Sequence, residues 1–168
     1  MKKTVLCLVA MLTLAACASS KAKEKSRQAL PKTAKLTFEN YSIKKDNASP
    51  QTTLTGLFGI LESTVDRVTV RFDEANKLHI DYKDKIGRPS SYGYAGKFRK
   101  RSYDYHKHNS HKGIPPFYWV THVERLRFRL EADSTLVVQH YYNRTGMILM
   151  MAGGGSDKQE YRFKCTKN

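Results

Sequence analysis

Apolar residues recur at every second position over most of the chain from Arg67 onward, and that period limits the folds open to it. Val68, Val70 and Phe72 alternate with Arg67, Thr69, Arg71 and Asp73; after Glu74-Ala75-Asn76-Lys77, the residues Leu78, Ile80 and Tyr82 alternate with His79, Asp81 and Lys83. Successive side chains of a strand point to opposite faces, so a period of two marks a strand with one buried face. Two such runs joined by a short polar turn make an antiparallel hairpin. The period returns at Tyr92, Tyr94 and Phe98, at Tyr103 and Tyr105, at Phe117, Trp119, Thr121 and Val123, at Leu136, Val138, His140 and Tyr142, and at Tyr161, Phe163 and Cys165. An apolar run at 147–151 is expected to be broken by Gly153-Gly154-Gly155. About eight to ten strands follow.

Two segments depart from that pattern. Leu126, Phe128 and Leu130 have the opposite parity to Trp119 and Val123. Because a slip of one residue turns every side chain over, a bulge or bend is predicted near 122–125. Leu54, Leu57, Phe58 and Leu61 stand at i, i+3, i+4 and i+7, which predicts a short helix over 53–62. No repeat of 20 to 50 residues and no alternation of strand and helix occurs, which excludes solenoids and parallel sheets.

The N-terminus has a different composition. Met1, Lys2 and Lys3 precede a twelve-residue apolar stretch, 5–16. As a helix it would span only about 18 Å of a hydrocarbon layer about 30 Å thick, so it has the layout of an export signal and not of a membrane span. It closes on Leu14-Ala15-Ala16-Cys17, which resembles the lipobox of bacterial lipoproteins. The resemblance implies cleavage before Cys17, a diacylglyceryl group on its thiol, and a protein held in the cell envelope by lipid, on the outer membrane of a diderm host, facing the periplasm or the cell surface. Two or more acyl chains, at about 0.8 kcal/mol per buried CH₂, anchor durably. Residues 18–35 are small, polar and basic, with one proline and no aromatic, and read as a flexible tether. The expected organisation is signal peptide 1–16, lipidated cysteine and tether 17–35, and a folded domain 36–168. The strand layout resembles the calycins: it implies an all-β, antiparallel, up-and-down barrel or half-barrel, lipocalin-like, with one short helix. The Gly-x-Trp of lipocalins is absent, the sole tryptophan being Trp119.

The chain carries 30 Lys and Arg against 15 Asp and Glu. Without Lys2 and Lys3 the balance is 28 against 15, a net +13, beyond the magnitude of roughly 2 to 8 that solubility asks of a small domain. Arg125, Arg127 and Arg129 share one face of a strand, and Lys97, Arg99, Lys100 and Arg101 crowd a predicted hairpin tip. These are the candidate anion-binding residues, and the partners open to them in an envelope are anionic lipid, surface polysaccharide or an acidic protein, with nucleic acid excluded by the compartment. Of the three cysteines, Cys7 lies in the signal and Cys17 takes lipid, so Cys165 has no disulfide partner and stability must come from the core.

Sites for chemistry are sparse. His106, His108 and His111 could supply three imidazoles to Zn²⁺ or Cu²⁺, but Lys107 and Lys112 flank them, and a solvated loop is the commoner reading. Glu124 would be an acid or base if it met His122 or His140 and Tyr142 or Tyr105 in one cleft. There is no Gly-x-Ser-x-Gly, no phosphate-binding glycine loop and no Cys-x-x-Cys. The sequence points to a monomeric, non-catalytic binding or structural module without cofactor or metal. The alternatives are a carrier of a small apolar ligand inside the barrel, a metal-binding protein, or a hydrolase using Glu124 and a histidine.

Overall fold

The structure, a computed structural model, describes residues 27–32, 35–44, 51–61 and 65–166. The signal segment and Cys17 lie outside the described residues. In chain order the elements are β1 (Arg27–Gln28), β2 (Leu36–Glu39), α1 (Leu54–Leu57), β3 (Arg67–Phe72), β4 (Lys77–Lys83), β5 (Pro89–Arg99), β6 (Ser102–Ile114), β7 (Tyr118–Glu131), β8 (Leu136–Ile148) and β9 (Met151–Phe163). From β2 to β9 each strand pairs antiparallel with the next, so the fold is one up-and-down sheet, with almost no helix. The sheet is not closed into a barrel by strand pairing. Its two ends meet at a single bridge between Phe38 and Cys165, flanked by Glu39 N–H to the Lys164 carbonyl at 2.9 Å and Thr166 N–H to the Thr37 carbonyl at 2.9 Å.

β5 turns the sheet. Its residues 89–95 pair with β4 and 96–99 with β6. At the changeover a Cβ on Gly96 would collide with the Asp104 carbonyl and the Tyr103 ring, so only glycine lets the strands come this close. Around the bend lies one core. Phe38, Val68, Val70, Leu78, Ile80 and Tyr82 come from β2 to β4, and Tyr103, Leu126, Phe128, Leu130, Leu136, Val138 and Phe163 from β6 to β9. Burying each such side chain contributes about 1.5–3 kcal/mol. The Tyr103 hydroxyl, fully buried, accepts from Leu78 N–H at 3.2 Å and lies 3.0 Å from the Tyr94 carbonyl, tying β4, β5 and β6 together.

α1 is shorter than the predicted 53–62. Thr53 caps it, its hydroxyl accepting from Gly56 N–H, and Gly59 at φ 77° turns the chain away after one turn. The expected stripe still faces inward through Leu54, Leu57 and Phe58, whereas Leu61 is exposed. Phe58 stacks on Phe128 at 5.5 Å and meets Tyr94 at 4.5 Å. The helix is fixed by Asn40, fully buried, whose amide donates to the Val65 carbonyl and whose Oδ1 accepts from Thr55 N–H.

Three expectations need correcting. β7 contains no bulge: it pairs with β8 without interruption from Tyr118↔Ile148 to Leu130↔Leu136. The extra residue sits instead in β6, between His106 and His108, opposite Glu124 and Arg125. A register shift can be absorbed by either partner of a ladder, and here the neighbour of the predicted strand takes it. Second, β9 runs straight through Gly153, Gly154 and Gly155. A Cβ at Gly154 would collide with the backbone of Arg144 and Thr145, so these glycines permit close strand contact and do not end the strand. Third, part of the segment read as tether is packed: Arg27 and Gln28 pair with the end of β7, and Leu30 is buried in the core.

β6 to β9 continue beyond the core. Above the bulge, over residues 108–114, 118–124, 141–148 and 151–159, none is fully buried. This four-stranded extension projects about 20 Å past the packed body at 3.3–3.4 Å per residue. Its inner face continues the parity of the core through Val120, His122 and Glu124 of β7 and Tyr142, Arg144 and Gly146 of β8.

Candidate functional site

The site lies where the body gives way to the extension. On the inner face of β7, the position after Leu126 is held by Glu124, paired across the ladder with Tyr142. The β6 bulge brings Lys107 to it. Lys107 Nζ lies 2.9 Å from Glu124 Oε1 and His140 Nε2 lies 3.0 Å from the same oxygen. Burial pushes the Glu124 carboxyl up, but Lys107 and His140 outweigh it and hold the group below its usual range. Burial, and then the Glu124 charge, raise the pKa of Tyr105 beneath.

Beside this cluster is a cleft of about 590 Å³, bounded by Gln51, Thr52 and Thr53 ahead of α1 and by Lys107, His140, Tyr142 and Gln159 on the sheet. A second cleft of about 530 Å³ shares Tyr142 and Asp157 and rises along the extension over Val120, Arg144, Gly146, Gly153 and Gly155. Three glycines give it a floor of backbone, onto which a flat ligand can settle at close range. Higher up, the His122 ring lies tilted against His108 at 4.3 Å and meets Tyr142 edge-on at 5.2 Å. His122 Nε2 is buried without a hydrogen-bond partner among the described residues.

Of the residues singled out from the sequence, Glu124, His140 and Tyr142 converge, and His122 stands one ladder position above. The three candidate metal-binding histidines do not. His106 pairs opposite Arg125 and His111 opposite Thr121, on the outer face, while the bulge turns His108 to the inner face opposite Glu124. Among the described residues no group of three His, Cys, Asp or Glu is placed to hold a metal ion.

The arginine row lies on the outer face and is engaged there. Arg127 grips Asp104 with two hydrogen bonds at 2.7 and 3.0 Å, Arg99 reaches the same carboxylate at 2.8 Å, and Arg129 pairs with Glu160 at 2.9 Å. Arg125 lies over the Tyr141 ring at 5.4 Å. Lys97 is opposite Asp104, and Lys100 and Arg101 form the exposed β5–β6 turn. Asp104 is the only fully buried carboxylate among the described residues. Burial raises its pKa, but Arg127, Arg125 and Arg99 prevail and hold it low. Sequence reasoning missed Asp104 and Lys107. A lone acid between Tyr103 and Tyr105, facing an arginine row, was a usable signal for the first; the second depends on the bulge.

Comparison with protein-family models, with curated proteins and with solved structures gives no match.

Proposed function

We propose that the chain is a lipid-anchored protein of the bacterial cell envelope, held by Cys17, whose domain is a non-catalytic module that binds an anionic partner on the inner face of the extension. One observation carries the reading. On that face Arg144 and Lys112 form no ion pair among the described residues, Arg144 lining the glycine-floored cleft and Lys112 paired across the ladder with Val120 of its wall, while most of the outer-face arginines are already committed to carboxylates. Tyr142, Asp157 and Gln159 beside them offer the stacking surface and hydrogen bonds that suit an acidic polysaccharide. Aromatic packing of Phe58, Tyr94, Tyr103 and Phe128 supports a filled interior over a ligand-carrying one, and the contact of β2 with residues 164–166 supports reading the sheet as a half-barrel.

The test is binding to dextran sulfate, with neutral dextran as control. Arg144→Ala with Lys112→Ala should lower affinity about tenfold and flatten the salt dependence, while Arg127→Ala changes affinity little. Binding insensitive to salt, or equal to neutral dextran, would overturn the reading. A second reading, hydrolysis with Glu124 and His140, is favoured by their 3.0 Å contact beside an open cleft that His140 lines. Against it, a carboxyl held below its usual range is a weak general base. Release of reducing ends from a soluble polysaccharide, abolished by Glu124→Gln, would put hydrolysis first.

A further inference from the structure

We infer that the distal tip of the extension is a wedge that enters the headgroup layer of an anionic bilayer, a second membrane contact separate from the lipid on Cys17. It rests on the envelope reading for the presence of a membrane, but not on the anchor. Two turns make the tip, 115–117 between β6 and β7 and 149–150 between β8 and β9. They are held side by side by Leu149 N–H donating to the Phe117 carbonyl at 2.8 Å and by the register Ile114↔Tyr118↔Ile148↔Met151. Their side chains stand in water: Met150 is 81% exposed, Met151 76%, Ile114 74%, Leu149 70% and Phe117 65%. Monomeric soluble domains rarely gather so many large apolar groups in one exposed place without a use.

Turn geometry gives an independent indication. Leu149 at φ 48° and Met150 at φ 68° are both in the left-handed region, as a two-residue hairpin turn demands, and Asn-Gly is the pair that suits it. Neither water nor backbone favours Leu-Met here. An apolar surrounding does.

Charge then selects the occupant. Passing down from the apolar end, Tyr118 and Trp119 come first and Lys112, His111, His122 and Arg144 next, and no Asp or Glu occurs in 108–123 or 143–156. The first carboxylates, Glu124 and Asp157, lie at the base of the extension, about 20 Å down. Apolar tip, aromatic belt and cations is the order in which a bilayer changes from acyl chain to anionic headgroup. The depth is limited. β6 above the bulge and β9 below Phe163 are paired on one side only, and open edges cannot enter hydrocarbon, so the wedge stops at the interface, about 5–10 Å in.

The full chain carries its own reporter, because Trp119 is its only tryptophan. The experiment mixes it with vesicles of phosphatidylglycerol and phosphatidylcholine, or of phosphatidylcholine alone, with and without brominated acyl chains, and reads Trp119 emission. A second protein, Leu149→Asn with Met150→Gly, has the residues the turn prefers and so keeps its fold. On anionic vesicles the wild type should shift to the blue and be quenched by bromine, at least fivefold more than on neutral ones. The double variant should still sediment with vesicles when acylated, yet lose the shift and the quenching. Equal quenching of both proteins, or none in the wild type, overturns the wedge. So does a blue shift without vesicles that grows with protein concentration, which would place the tip against a second copy. The mass of the chain from its host judges the Cys17 anchor separately.

Discussion

Below the bulge, β7 turns Leu126, Phe128 and Leu130 into the core, and all three are buried; above it, Val120, His122 and Glu124 hold the same parity and none is. The backbone ladder does not distinguish the two, since β7 and β8 pair with unbroken register through both. What differs is what the side chains meet. In the body they meet Phe58, Tyr103 and strands from across the bend, and in the extension they meet only neighbours on the same sheet and solvent. Backbone hydrogen bonds net little over those made to water, so a ladder holds shape while buried apolar area holds stability. The extension is therefore a rigid form carried by the body's stability, with both faces left free for contact.

Four measurements bear on that contrast. Phe128→Ala should cost about 3–5 kcal/mol in urea unfolding, and Val120→Ala, same strand and same face, under about 1 kcal/mol. Equal costs would mean the extension has a core of its own. Asp104→Asn should cost about 2–3 kcal/mol, because it frees Arg127 and Arg99 from their shared partner. The folded Asp104 pKa is depressed, so its contribution is present above the unfolded value of about 4 and is lost as pH falls through the folded one. The wild type should lose stability in that acid range, and the Asn variant should lose less. Leu149→Asn with Met150→Gly should gain about 1 kcal/mol, readable as a rise in melting temperature, because two left-handed positions are relieved. Glu124→Gln should change stability by at most about 0.5 kcal/mol, since its partners are partly exposed; a larger loss would make Glu124 part of the body.

Much of the body could be read from alternation, because there one face of every strand is buried and the period of two is fully written. Legibility fails where that condition lapses. In β7 the outer residues Trp119 and Val123 have apolar side chains but no core behind them, so a change of parity looked like a slip. The helical stripe overran because Leu61 continues the pattern after Gly59 has already ended the helix. Leu30 was hidden for the opposite reason, a single apolar residue in a polar segment giving no period at all. Strand parity permitted the convergence of Glu124, His140 and Tyr142 without choosing His140 over His122. The arrival of Lys107 did not, because it depends on one irregular residue in the neighbouring strand.

That residue makes β6 a strand written in two frames. Up to His106 its odd positions face in; from His108 its even positions do. Removing Lys107 would close the bulge and leave every residue above it on the face it now holds, because His106 and His108 already occupy consecutive, oppositely facing positions of the ladder. Lys107→Ala takes the cation from Glu124 and keeps the bulge, whereas a one-codon deletion takes both and keeps the face, so the pair of variants separates the charge from the irregular backbone that delivers it.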